Sequence, residues 1–348
     1  MPRCSSASRE SRTGGRAWGP WQADARALFL SRPTPAPRAM TALMAAPGVL
    51  LDSNAYRGMS DARFDALLDA ERRRRVERYC EPFVVSEFLA HLADPAEPAF
   101  GSCRRAVVRV YRRCNVAAGG ECGILRDSEA RLCEFITGKV LEKHDAYTEQ
   151  VVAPLVGDIG LTPIDRPLPP GMEPHLRLIA AHMAEVEAQF ADVGRGLKTV
   201  IETAVAGEDR EGRKATMKGA RRMHESPATR RSFAETMIRQ AYENAELAPP
   251  DPLPDALVER VLKGATVAIE FEALIWEKLA FDGANPDKTR IRNLRWDQRI
   301  AFNIGQTMRG RPLWLVTDDN DFARAAVAAG HGGLVFTLRA YEEWLGIP

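Results

Sequence analysis

The chain has 348 residues, with 48 Lys and Arg against 47 Asp and Glu and 45% hydrophobic side chains. A chain of this length buries enough surface to fold without disulfide or metal staples, and its near-zero charge excludes a histone-like polybasic protein while leaving room for a local basic groove. The longest uncharged apolar stretch, 39–51, is 13 residues long, too short to span a bilayer, and six cysteines without a CxxC pair point to reduced thiols in a cytoplasm.

Residues 1–39 hold seven Arg, no Lys and two acids, a net charge of +5. No sustained apolar period runs through them, so 1–47 is expected to be a disordered tail, or an upstream stretch if translation starts at Met40 or Met44 rather than Met1. From Gly48 the texture changes. Gly48-Val-Leu-Leu-Asp52 is a short aliphatic run ending in an acid, the pattern of a buried parallel strand. Residues 60–79 show helical spacing. Pro82-Phe-Val-Val85 is expected to be a second strand, with Ser86 capping a helix that Glu87 opens and that runs to Leu92. Residues 102–114 form an amphipathic pattern with Arg105, Arg109, Arg112 and Arg113 on a basic outer face. Gly123-Ile-Leu125 offers a third strand before another helix.

The stretch 145–285 contains no convincing strand. Helical patterns run over about 173–205, 230–246 and 254–281, broken at 167–171 and 249–252 by Pro and Gly. Within it, 195–231 carries ten Lys and Arg against five acids. Strand–helix alternation returns after Pro286. Asn293 is expected to cap a helix over 294–308, Leu313-Trp-Leu-Val-Thr317 to form a strand, and 334–337 another, each followed by a helix. Alternating strands and helices imply an α/β fold with a parallel, doubly wound sheet.

Asp52 and Asp319 each end a strand, Glu87 is expected to start a helix just after one, and Asp297 to lie in a first turn leading toward the Asp319 strand. Ligands of open parallel sheets bind beyond the carboxyl ends of the strands, so these four acids are expected to converge. Carboxylates so close raise one another's pKa, a conflict that a divalent cation relieves. Oxygen ligands without His favour Mg²⁺ or Mn²⁺ over zinc. The six His are scattered, and Cys114, Cys122 and Cys133 read as small buried hydrophobes.

Leu51-Asp-Ser-Asn54, Val84-Val-Ser-Glu87, Asn293-Leu-Arg-Trp-Asp297 and Val316-Thr-Asp-Asp-Asn-Asp-Phe322 together resemble the four acidic motifs of the PIN domain, over about 48–140 and 288–348. The stretch between Glu87 and Asp297 is far longer than a simple PIN domain needs. The resemblance implies a PIN-like core at 48–144 and 286–348, interrupted by an all-helical insertion at 145–285. It implies that Asp52, Glu87, Asp297 and Asp319 bind Mg²⁺ or Mn²⁺ and serve catalysis, with Asn54 and Thr317 as supports and Asp321 as an auxiliary acid; Asn293 beside them reads first as a helix cap. It further implies hydrolysis of phosphodiester bonds in single-stranded RNA. An inhibitor or antitoxin protein, as in toxin–antitoxin pairs, and homodimerisation are partner expectations, and none involves a membrane. Two rivals remain: a PIN-like module that binds RNA or protein without turnover, and a haloacid-dehalogenase-type phosphatase. The latter wants Asp where Asn54 stands and a catalytic Lys that the sequence does not place.

Overall fold

β1 (Gly48–Leu51) is four residues long and wholly buried, because strands pair with both its edges and helices pack against the sheet. It pairs in parallel with β2 (Glu77–Tyr79) and with β4 (Arg311–Val316), Leu51 standing opposite Val316. On the far edge of β4, β5 (Val335–Phe336) pairs in parallel and β3 (Thr307–Met308) antiparallel. The result is a small mixed sheet of five strands in a helix-rich α/β fold. The computed structural model describes residues 46–114 and 123–347; the expected disordered tail, apart from Ala46 and Pro47, lies outside the described residues. Gly48 is needed where the strands are closest: a Cβ there would meet the Tyr79 ring at 2.8 Å and Leu313 at 2.9 Å.

The first half continues with α1 (Ser53–Gly58), α2 (Asp61–Arg73), α3 (Pro82–Ala90), α4 (Phe100–Arg113), α5 (Ser128–Thr137), α6 (Glu142–Tyr147), a π-helical turn (Thr148–Val152) and α7 (Ala153–Leu161). Then come α8 (Glu173–Ala204), α9 (Arg210–His224), α10 (Pro227–Asn244), α11 (Asp255–Gly264) and α12 (Thr266–Ala280). After these, α13 (Thr289–Ala301) precedes the β3–β4 hairpin, α14 (Asn320–Ala328) follows β4, and α15 (Leu338–Leu345) closes the chain. No helix among the described residues is long and apolar enough to cross a membrane.

Two apolar clusters hold these layers. The larger joins the sheet to α1–α4 and to α7, α8, α12, α13, α14 and α15; the smaller joins α5, α10, α11 and one side of α12. α12 is apolar on more than one face. Val267, Phe271, Ile275 and Leu279 recur every four residues and enter the larger cluster, while Ala268 and Ile269 enter the smaller. A helix buried on several faces is expected to read this way. Of the helices of 145–285, α7, α8 and one face of α12 therefore share their core with the sheet, while α10 and α11 pack in the smaller cluster.

The structure corrects several expectations. Residues 82–85 are helical: Pro82 occupies the first turn of α3, where its missing N–H costs nothing, and a short apolar run cannot distinguish strand from helix by period. The strand lies earlier, at Glu77–Tyr79, because α2 ends where Arg75 adopts a left-handed φ of 56°. Ser86 and Glu87 are thus interior to α3, not at its start. Likewise α13 begins at Thr289 and ends at Ala301, so Asn293 caps nothing and Asp297 sits mid-helix. The 254–281 pattern is two helices, broken at Ala265; a Cβ on Gly264 would lie 2.4 Å from the Phe135 ring. The third strand shrinks to one bridge, Cys80 to Ile124. Nor is the arginine face of α4 solvated throughout, since Arg109 and Arg113 are buried. Arg113 donates to Glu71, to the Tyr56 hydroxyl and to the carbonyls of Val49 and Tyr79 beneath the sheet.

Candidate active site

β1 and β4 run parallel and adjacent, so Asp52 and Asp319, just past their carboxyl ends, emerge side by side. The backbone N–H of Asp52 continues the ladder by donating to Val316. Its carboxylate caps α1, accepting from the Ser53 N–H at 2.6 Å through Oδ1 and from the Thr317 hydroxyl at 2.9 Å through Oδ2. Asp319 caps α14 by accepting from the Asp321 N–H at 2.7 Å. The Thr317 oxygen in turn accepts from the Asp319 N–H at 3.0 Å. One buried hydroxyl thereby fixes both strand ends.

The other two acids arrive on helix faces. Phe83, Val84, Glu87, Ala90 and His91 share the face of α3 that lines a cleft of about 820 Å³, and Thr289, Arg290, Asn293, Asp297 and Ile300 share the matching face of α13. Asp52, Asn54, Asp319 and Asp321 line the same cleft. Asn293 is one turn from Asp297, so it belongs to the cleft wall although it caps nothing. Asn54 is exposed and accepts from Arg57 at 3.2 Å.

The acids feel one another. Burial pushes Asp52 up to about 6, and the charges of Glu87 and Asp319 add to that, against the hydrogen bonds from Thr317 and Ser53. Asp297 retains some exposure, yet protein surrounds it closely enough that desolvation raises its pKa well above the carboxylate range. Asp52, Asp319, Glu87 and Asp321 push it further, in that order. Two cations enter the cluster: Arg57 meets Glu87 at 3.3 Å and Lys278 meets Asp321 at 2.7 Å. Among the described residues Asp52, Asp297 and Asp319 have no such ion pair.

Oxygen donors with unbalanced negative charge suit a hard divalent cation. Among the described residues, however, no group of three or more His, Cys, Asp or Glu side chains is placed to hold a metal ion.

Sequence reasoning missed Arg57, His91, Lys278 and Arg290. Arg57 was within reach of it, one helical turn from Asn54. Lys278 was not, because it comes from α12, 43 residues before Asp321 in sequence, and only packing brings it there. No protein-family model, curated protein or solved structure matches the chain. Function has to be read from the site itself.

Proposed function

We propose that this cleft belongs to a metal-dependent, PIN-type endoribonuclease that hydrolyses phosphodiester bonds of single-stranded RNA. One observation carries the reading: Asp52, Glu87, Asp297 and Asp319, from four separate segments, face one cleft and raise the pKa values of Asp52 and Asp297. Clustered perturbed carboxylates in a cleft mark functional sites. In this reading the sheet is the doubly wound core of 48–144 and 286–348, and 145–285 is a helical insertion.

Asp52, Glu87, Asp297 and Asp319 would hold Mg²⁺ or Mn²⁺, and the bound ion would supply an activated water and stabilise charge on the phosphate and leaving oxygen. The chain's own groups do the positioning. Thr317 locks the Asp52 carboxylate through Oδ2 and the Asp319 backbone through its N–H. Arg57, held by Asn54, neutralises Glu87 and places a guanidinium at the cleft wall, where a phosphate oxygen can accept from it. Lys278 offsets the charge of Asp321, the auxiliary acid.

Purified protein with Mg²⁺ or Mn²⁺ should cut single-stranded RNA, and Asp52→Asn or Asp319→Asn should abolish cutting while the fold persists. Cutting that survives both substitutions and EDTA sinks the reading. A phosphatase of haloacid-dehalogenase type gains one observation, Lys278 near the acids, but Lys278 pairs with Asp321 rather than Asp52, and Asn54 still stands where an Asp is wanted. Turnover of p-nitrophenyl phosphate without RNA cleavage would favour it.

A further inference from the structure

We propose that α9, within the helical insertion, is a track for the phosphate backbone of the RNA that enters the acid cleft; the nuclease reading supplies the choice of polyanion. Arg210, Arg213, Lys214, Lys218, Arg221 and Arg222 recur at helical spacing on α9, all exposed, and Glu211 is the one acid within the helix. The half-buried residues Gly212, Thr216, Ala220 and His224 recur every four positions and turn to the body, which leaves the basic stripe toward solvent.

Among the described residues about half of the exposed arginines elsewhere meet a carboxylate, as Arg63, Arg112, Arg195 and Arg339 do, and others such as Arg73, Arg105 and Arg166 do not; α9 differs in gathering six basic side chains on one helix. Of the six basic residues on α9, Arg221 alone has an ion pair among the described residues, with Asp282 at 3.1 Å. The other five form no ion pair among the described residues, along a helix about 22 Å long.

Its placement gives the charge a use. Arg221 stacks over Phe281 and pairs with Asp282, anchoring α9 to the segment just after α12. Lys278, four residues before Asp282, touches Asp321 in the acid cluster; the chain between them spans at most about 14 Å. The same connecting segment leads into α13, whose first turn, Thr289 and Arg290, lines the cleft. The basic face thus begins beside the segment joining two site-forming helices. α9 contains no Trp, Phe or Leu, which a helix lying in a membrane interface uses as its buried face. Nucleic acid is the better-matched polyanion.

The test uses the full chain carrying Asp52→Asn, which is expected to bind without cutting, and a fluorescein-labelled single-stranded RNA titrated across salt. Replacing Arg210, Arg213, Lys214, Lys218 and Arg222 together by Gln should weaken binding about tenfold to a hundredfold, and flatten the log K against log salt slope by about 0.7 for each phosphate that the helix no longer neutralises. A companion variant carrying Arg210→Lys, Arg213→Lys and Arg222→Lys keeps the charge and should bind as the parent does, which guards against misfolding as the cause. Unchanged affinity and slope in the Gln variant would overturn the proposal. So would tight α9-dependent binding to anionic phospholipid vesicles with no effect on RNA. If RNA binds through α9 but the wild-type chain never cuts it, the nuclease reading fails and the track stands; cutting with α9-independent affinity does the reverse.

Discussion

The Thr317 hydroxyl donates to the Asp52 carboxylate at 2.9 Å across 265 residues of sequence, and the same oxygen accepts from the Asp319 backbone. Thr317→Val keeps the shape and deletes both bonds. Asp52, already pushed up to about 6 by burial, loses the hydrogen bond that most favours its ionised form. Cleavage at neutral pH should fall about tenfold to a hundredfold, the usual cost of losing a group that orients a ligand. The acid limb of the pH–rate profile should move upward. Thr317→Ser should restore both.

Stability of the metal-free chain should fall as pH rises. Burial pushes Asp52 up to about 6 and Glu81 up to about 7, the latter against the pull of Arg131, Asn303 and Ser128. A folded pKa above the unfolded one means the native state binds more protons, so the contribution is present below about pH 4 and is lost as pH passes through 6 and 7. His144, raised by its hydrogen bond to Asp127 despite burial, extends the loss above its ordinary range. Urea titrations between pH 4 and 8 should show the decline. Asp52→Asn should remove about 2–3 kcal/mol of it, and Mg²⁺ should raise the melting temperature of the wild type more than that of Asp52→Asn.

Lys278 and Asp321 form a largely buried pair at 2.7 Å. Lys278→Met leaves the carboxylate charged and alone, at a cost of about 3 kcal/mol or more. Adding Asp321→Asn removes the stranded charge, so the double variant should be more stable than Lys278→Met alone. Additive losses in a double-mutant cycle would show that the two side chains do not interact.

Arg113 and Glu71 are fully buried together, and Tyr341 also donates to Glu71 at 2.8 Å. Arg113→Met strands Glu71 and the carbonyls of Val49 and Tyr79, and should destabilise the fold by about 3–5 kcal/mol. Tyr341→Phe deletes one bond, worth about 1 kcal/mol. Equilibrium denaturation measures both, and neither side chain reaches the acid cleft.

A Cβ on Gly160 would lie 2.1 Å from the Tyr111 ring, where α7 presses on α4. Gly160→Ala raises helix propensity by about 1 kcal/mol, but overpacking costs about 1–3 kcal/mol. A net loss of stability is expected, with RNA cleavage unchanged. Gly160→Ala together with Tyr111→Leu should recover it.

The four acids, their order and the strand-end positions of Asp52 and Asp319 were legible in the sequence, because an aliphatic run ending in a polar residue describes a buried parallel strand locally. The long helix α8 was legible for the same reason: a 3.6-residue period needs only its own segment. The first turn of the helix at 82–90 was not, since the apolar run Pro82-Phe-Val-Val85 is too short to show a period and burial between neighbours decided its form. Asn293 and Asp297 illustrate the other limit. Their chemistry was visible, while the true start of α13 at Thr289, and hence the shared cleft face, depended on packing. Tertiary structure alone brought Lys278 to Asp321 and Arg57 to Glu87, raised Asp52 and Asp297, and buried Arg113. Charge in a sequence is a list; its energy depends on distance and desolvation, which exist only once the chain has folded.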